Sequence, residues 1–443
     1  MTAGGPKAVV LSPTFYSHFN PLLVLASALQ RAGAEVVVGC GQAFAAQVEA
    51  ADMRFIPLDI SRNANVGIAQ QTEQARAEAA RLEAFFHATR EGPIATLMLQ
   101  SRHRQDDMLS DPHRLRREIA ALDADERPDF YIIDQLSYAV TLALTCLQLP
   151  FVTFCPGHPT YIPTGGELFG VPYRWPQEII PTKEALAVLR AVATETDQRF
   201  TRIFNNIIAT HAPDVAPVDS AFRVASSQAR VFMYPEFDHL QRASDDVENI
   251  FMGYSFTPEP LPSKWQVRLA GTLPGAPTVL ITLGTFLSAR DDVLVHCIEG
   301  VIDYDPQAKV IVSAGANADR LSRWRSESVV VASFVPQKAL LAHVDMVIHH
   351  GGNNSFTETL FHGKPMLILP FSSDQFAIAH DAQSYGLAEV LDPNVFDHAA
   401  LGDRLHRLLV PERSASLARW QKHVRSRGPD YAAGRLLAVA IGH

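Results

Sequence analysis

An alternation of short apolar runs with longer helical patterns, met twice along the chain, constrains its fold more than any other feature. Ala8 to Leu11 is an apolar run, and Pro21 to Ala32 follows with Leu22, Leu25, Ala26 and Leu29 at helical spacing before Gly33 closes it. Ala34 to Gly39 and Ala43 to Ala51 repeat the pair, as do Asp129 to Asp134, Tyr138 to Leu147 and Phe151 to Phe154. The pattern restarts after residue 275: Thr278 to Leu283 reads as a strand and Asp292 to Tyr304 as a helix. Further strands are expected at Lys309 to Ser313, Val329 to Ala332, Met346 to His349 and Met366 to Leu369. Strands that alternate with helices predict a parallel sheet with helices on both faces, so two series predict two doubly wound α/β domains. Pro258, Pro260, Pro262 and Pro274 interrupt any regular element between them. The expected division is a first domain over 1–252, a linker over 253–274, a second domain over 275–420 and a C-terminal helix over 421–443 crossing back onto the first.

Two segments depart from the alternation. Thr72 to His87, rich in Ala, Glu and Arg, reads as a helix ending near Phe85-Phe86, and Pro156 to Pro181 reads as a long loop. Long loops inside compact domains tend to carry function. The net charge of −9 argues against a nucleic-acid partner, which needs a basic footprint. Cys40, Cys146, Cys155 and Cys297 are scattered and form no C-x-x-C pair, so neither a disulfide framework nor a zinc site is expected. The most apolar longer window, Tyr138 to Cys155, is broken by Gln148 and Pro150, and no membrane span is expected. A cytoplasmic protein is the default reading.

His349-His350-Gly351-Gly352-Asn353-Asn354-Ser355 lies between a strand pattern and a helix pattern. Glycines at such a turn let backbone approach a phosphate, and a helix start offers free N–H groups. Open parallel sheets bind ligands at the carboxyl ends of their strands, so two facing sheets would hold a ligand in the cleft between them.

With Glu358, Gly363-Lys364-Pro365, Pro370 and Asp374-Gln375, this turn resembles the donor-binding signature of the glycosyltransferases that act on natural products and plant small molecules. Phe334-Val335-Pro336-Gln337 and Gly284-Thr285 match two further elements of that family. The resemblance implies the GT-B fold, two Rossmann-like domains facing a cleft. It implies that Phe334 stacks on the nucleobase, Val335 bonds the base through its backbone, and Gln337 and Glu358 hold the ribose. By the same resemblance Thr285, His350, Asn354, Ser355 and the amides from Gly351 and Gly352 onward hold the diphosphate, and Asp374 and Gln375 face the donor sugar. Phe334 stands where the family commonly has Trp, and Asn353 where it often has Trp or Met.

The family's Gly-His-x-x-Pro turn is matched by His18 and Pro21, with Ser17 in place of the glycine. The resemblance makes His18 the general base and Asp134, which ends a predicted strand, its carboxylate partner. Histidine suits the task because its pKa lies near working pH. The implied reaction is an inverting displacement from a UDP- or dTDP-sugar onto a small, ring-containing acceptor, with no cofactor and no metal. Asp123-Ala124-Asp125 formally matches a metal-binding Asp-x-Asp motif but follows no apolar strand, and reads as a solvated turn. Phe15, Tyr16, Phe85, Phe86, His158 and Tyr161 are the expected acceptor-pocket residues. A homodimer is one expected assembly. Two other readings stand beside this one: a non-catalytic sugar-nucleotide-binding auxiliary protein, and a sugar-nucleotide epimerase on the same fold.

Overall fold

A computed structural model describes residues 5–61, 76–241, 247–270, 275–409 and 411–441. Among these residues the first sheet contains β1 (Lys7–Leu11), β2 (Glu35–Cys40), β3 (Arg54–Pro57), β4 (Phe130–Asp134), β5 (Phe151–Cys155), β6 (Ala229–Phe232) and β7 (Glu248–Phe251). Its spatial order is β3-β2-β1-β4-β5-β6-β7, and every pairing is parallel. The second sheet contains β8 (Thr278–Thr282), β9 (Lys309–Ser313), β10 (Val329–Ala332), β11 (Met346–His349), β12 (Met366–Ile368) and β13 (Ala388–Val390), in the order β10-β9-β8-β11-β12-β13, again all parallel.

Both sheets are doubly wound: strand order reverses between β1 and β4, and again between β8 and β11. Each reversal opens a crevice at the carboxyl ends of the strands. His18 follows β1 and Asp134 ends β4; Gly284 follows β8 and His350 follows β11. His18 and Asp134 therefore lie at one crevice, and Gly284 and His350 at the other.

The inner strands are buried on both faces, as a covered parallel sheet requires, while the edge strand β3 is half-exposed. Val10, Val38 and Ile132 point into one core of the first sheet, Val9, Leu11 and Ile133 into the other. The helix Pro429–Ile441 brings Ala432, Ala433 and Leu436 into the first of these cores, so the chain returns to its starting domain. A third core spans both halves of the molecule: Cys155, Phe232 and Tyr234 pack with Phe356, Phe376 and Trp420.

Some elements differ from the sequence expectations. The segment expected as a linker contains a helix, Ser263–Leu269, because Pro262 starts it and Trp265 is buried against the second domain's core. The helix expected over 72–87 runs over Arg76–Glu91, with 72–75 outside the described residues. Asp123 and Asp125 lie in the last turns of the helix Pro112–Glu126, where the Asp123 carboxylate accepts from the Tyr131 hydroxyl at 3.0 Å, rather than in a solvated turn. Pro274 and the side chain of Thr285 fall outside the described residues and side chains.

Candidate active site

The helix Tyr16–Arg31 starts on the turn that leaves β1, which puts His18 in its first turn. His18 Nδ1 lies 2.8 Å from Asp134 Oδ2. Asp134 is fully buried, and its other oxygen accepts the Leu136 N–H at 2.9 Å, which fixes the carboxylate. With the carboxylate accepting the Nδ1 proton, Nε2 of a neutral ring presents a lone pair. His18 is about one-fifth exposed (21%), so that face is open to the cleft. Burial works against the imidazolium, but Asp134 outweighs it and holds the His18 pKa above its ordinary value.

Pro21 sits inside this helix and has no N–H to give the Ser17 carbonyl four residues earlier. The Asn354 side chain supplies a donor instead, at 3.1 Å from Ser17 O. The turn that carries His18 is thereby tied to the glycine-rich turn of the second domain. Asn353, buried beside it, donates to the carbonyls of Pro156 and Met233 at 2.7 and 2.6 Å. A Trp at 353, with one N–H, could make at most one of these bonds, and a Met neither.

The glycine-rich turn leads into the helix Asn353–Phe361, whose N-cap is Gly352 with no side-chain cap. Its first amides therefore stay available to an anion. The His350 ring fits between two glycines: a Cβ on Gly284 would come within 2.8 Å of it, and one on Gly352 within 2.3 Å. Gly284 and Gly351 also have φ of +73° and +83°, which disfavours other residues. Burial lowers the His350 pKa to about 4, against a bond to the Thr282 backbone that raises it, so the ring is uncharged. His349 is buried and accepts the Gly351 N–H at 3.0 Å, which shapes the turn from behind.

The expected base and ribose elements converge on this helix. Gln337 Nε2 lies 2.7 Å from Glu358 Oε2 and 3.3 Å from Ser355 Oγ. Val335 is buried, whereas Phe334 is 76% exposed, an unusual setting for a large apolar ring and one that leaves its face free to stack. Burial pushes the Glu358 pKa up to about 7, only partly offset by Lys338 and Gln337.

Other predicted residues have different surroundings. Gln375 folds back: its Oε1 accepts the Phe371 and Ser372 N–H groups at 2.9 and 3.1 Å, and its Nε2 donates to Ser372 Oγ at 3.3 Å. Asp374 Oδ2 accepts the His158 N–H at 2.9 Å, and the Asp374 N–H donates to the Tyr161 hydroxyl at 3.1 Å. His158 is fully buried with both ring nitrogens bonded to protein, so it offers nothing to an acceptor. Phe85 packs against the second domain's core, with Phe86 edge-on to it at 5.8 Å. Tyr16 is 42% exposed and Phe15 lies 6.0 Å from the His18 ring, so both flank the base.

Sequence reading missed a second tie between the halves. Arg290, 2% exposed, forks onto Asp292 and also bonds the Thr89 carbonyl at 3.2 Å and Asn394 Oδ1 at 2.9 Å. Asn394 returns a bond to the Thr89 carbonyl at 3.0 Å. No local pattern in the sequence announces this contact between residues about 200 positions apart.

Comparison with known proteins gives these crevices a context. Residues 298–420 match the erythromycin biosynthesis protein CIII-like, C-terminal domain. Two solved structures align with nearly the whole chain: the glycotransferase of kitacinnamycin (TM-score 0.69, 18% identical, covering 98% of this chain and 99% of that one) and the glycosyltransferase VinC in complex with dTDP (TM-score 0.65, 20% identical, 99% and 100%). The chain has the GT-B fold. Demethyllactenocin mycarosyltransferase from Streptomyces fradiae is 27% identical to this GT-B chain over 229 residues, 51% of this chain and 48% of that enzyme. The chain thus spans about half the length of that curated relative. Among its described residues, no helix is long and apolar enough to cross a membrane.

Proposed function

We propose that this GT-B chain is an inverting glycosyltransferase that moves a sugar from a UDP- or dTDP-sugar to a hydroxyl of a small, ring-containing acceptor. The observation that carries the reading is the buried His18–Asp134 pair, opening on the cleft and tied by Asn354 to the uncapped helix start. In the proposed step His18 Nε2 takes the acceptor O–H proton while that oxygen bonds to the anomeric carbon from the side opposite the leaving group. The bond between that carbon and the diphosphate oxygen breaks, and its electron pair leaves with the diphosphate. The amides that start the helix at Asn353 stabilise this developing charge. Asp134 orients the ring and stabilises the imidazolium. Phe334 stacks on the base, Gln337 and Glu358 hold the ribose, and Asp374 meets the sugar. The working division of the chain is 1–252 for acceptor and base, 275–420 for the nucleotide sugar, and 421–443 returning to the first domain.

The test is nucleotide release and product mass with UDP- and dTDP-sugars across a panel of phenolic, polyketide and macrolide acceptors. His18→Ala should lose roughly a hundredfold or more of kcat, the usual worth of a general base, while still binding the nucleotide. A His18→Ala enzyme that transfers sugar as fast as wild type overturns the assignment of the base. Tight nucleotide binding with no turnover on any acceptor favours the non-catalytic reading.

A further inference from the structure

His158 contacts two carboxylates of one helix. Asp374 starts the helix Gln375–Ser384 and Asp381 lies two turns along it, on the same face. The His158 backbone N–H donates to Asp374 at 2.9 Å, and its ring Nε2 lies 3.0 Å from Asp381 Oδ2. The Thr160 N–H and hydroxyl lie 3.2 and 2.8 Å from His158 Nδ1. Since a backbone N–H can only donate, Nδ1 is the acceptor and Nε2 carries the proton that Asp381 receives.

Asp381 is fully buried and gathers further donors. The Tyr234 hydroxyl reaches it at 3.1 Å, His239 Nε2 at 3.2 Å, His380 Nδ1 at 3.4 Å, and the Tyr173 hydroxyl makes a short bond. Apart from His380, these donors belong to the first half of the chain. Of these donors His158 belongs to the loop from Pro156 to Tyr161, and its backbone bond to Asp374 and ring bond to Asp381 together hold that loop along the helix. That loop is fitted to Asp374: a Cβ on Gly157 would come within 2.7 Å of both its carboxylate and the Tyr161 ring.

We propose that Asp381 is a positioning residue for the donor sugar: through His158 it sets the orientation of the Asp374 carboxylate, so that the sugar pocket is completed by a loop of the opposite domain. The inference rests on the reading of Asp374 as the carboxylate that meets the sugar. Asp381 itself touches no substrate. Its role predicts that losing it weakens recognition of the sugar and spares recognition of the nucleotide, which is held some distance away by Phe334, Gln337 and Glu358.

The experiment is calorimetry of UDP and dTDP and of a panel of their hexose and deoxyhexose derivatives. The sugar that most changes affinity in the wild type serves as the probe. Asp381→Asn should lower the sugar's contribution roughly tenfold, the worth of one charged hydrogen bond, and leave the nucleoside diphosphate within about twofold. In an Asp374→Asn background, Asp381→Asn should cost the sugar nothing more, because the two residues act as one unit. Should Asp381→Asn fail to fold, Tyr173→Phe removes a single donor and should show the same selective loss, about threefold. Equal loss of nucleotide and nucleotide sugar, or a full additional loss in the Asp374→Asn background, overturns the proposal. A wild type that binds the nucleotide but responds to no sugar, or that binds neither, removes the reading of Asp374 itself and the inference with it.

Discussion

His18 and Glu358 are the side chains whose protonation the proposed reaction senses most directly. A base must be neutral to take a proton, and Asp134 holds the His18 pKa above the ordinary 6.5. kcat/KM should therefore rise as pH climbs through an inflection above 6.5, measured as a pH–rate profile. In Asp134→Asn burial acts unopposed by that carboxylate, so the inflection should move down while the maximum rate falls. An inflection that stays in place would remove Asp134 from the role. Glu358, with its pKa near 7, accepts from two ribose hydroxyls only as a carboxylate. Nucleotide affinity should therefore increase between about pH 6 and pH 8, and titration calorimetry of Glu358→Gln should find that dependence flattened. The identity of these residues was legible because the motifs are local: a histidine three positions before a proline, or a carboxylate one turn into a helix. The roles of Asn353, His158 and Asp381 were not, because each is defined by partners more than 100 residues away.

At the scale of elements, the long alternating strands of both sheets could be read from apolar runs alone. The short strands β3, β6, β7 and β13 could not: each carries a charged residue, Arg54, Arg230, Glu248 and Glu389, so no apolar run stands out as it does in the equally short Val329–Ala332. The helix Lys183–His211 also escaped, since its mixed composition declares itself only through the core that Phe200, Phe204 and Ile208 enter. The glycine-rich turn makes a prediction of its own. Gly352→Ala places a methyl where the His350 ring stands, so the ring must move off the turn. Nucleotide affinity should fall about tenfold, the equivalent of one strong hydrogen bond, with little change in thermal midpoint. A Gly352→Ala protein that binds nucleotide like wild type would show that the ring's place between the glycines is incidental. The Arg290 tie belongs to the same scale. Arg290→Ala strips the Thr89 carbonyl and Asn394 of a buried cation and should destabilise the fold by about 1–3 kcal/mol in chemical denaturation. Lysine at 290 lacks the planar fork and should rescue only part of that loss.

For the whole molecule, the histidines set the response to acid. Burial holds His349, His350 and His362 at about 3, 4 and 4, well below the ordinary 6.5. Between pH 6.5 and about 4 the unfolded chain takes protons that these folded side chains refuse, so stability falls as pH falls through that window. The raised Glu358 acts in the opposite direction over most of this window, whereas the raised His18 acts only above pH 6.5. The thermal midpoint should thus drop steadily on acidification through that window, and a flat profile would show that the buried histidines titrate with the unfolded chain. The division into two halves was legible from the restart of the alternation, whereas the core shared by Phe232, Tyr234, Phe356 and Trp420 was not, because an apolar residue does not declare which sheet it will meet. The return of Pro429–Ile441 to the first sheet has a consequence for mechanics. The second domain is held at both its entrance and its exit, so any opening of the cleft must bend two backbone crossings together, like a door on paired hinges. A fluorophore attached near residue 441 would ride with His18 rather than with the glycine-rich turn, and a second one beside Val395, which is 78% exposed, would report the distance between the two leaves as the nucleotide comes and goes.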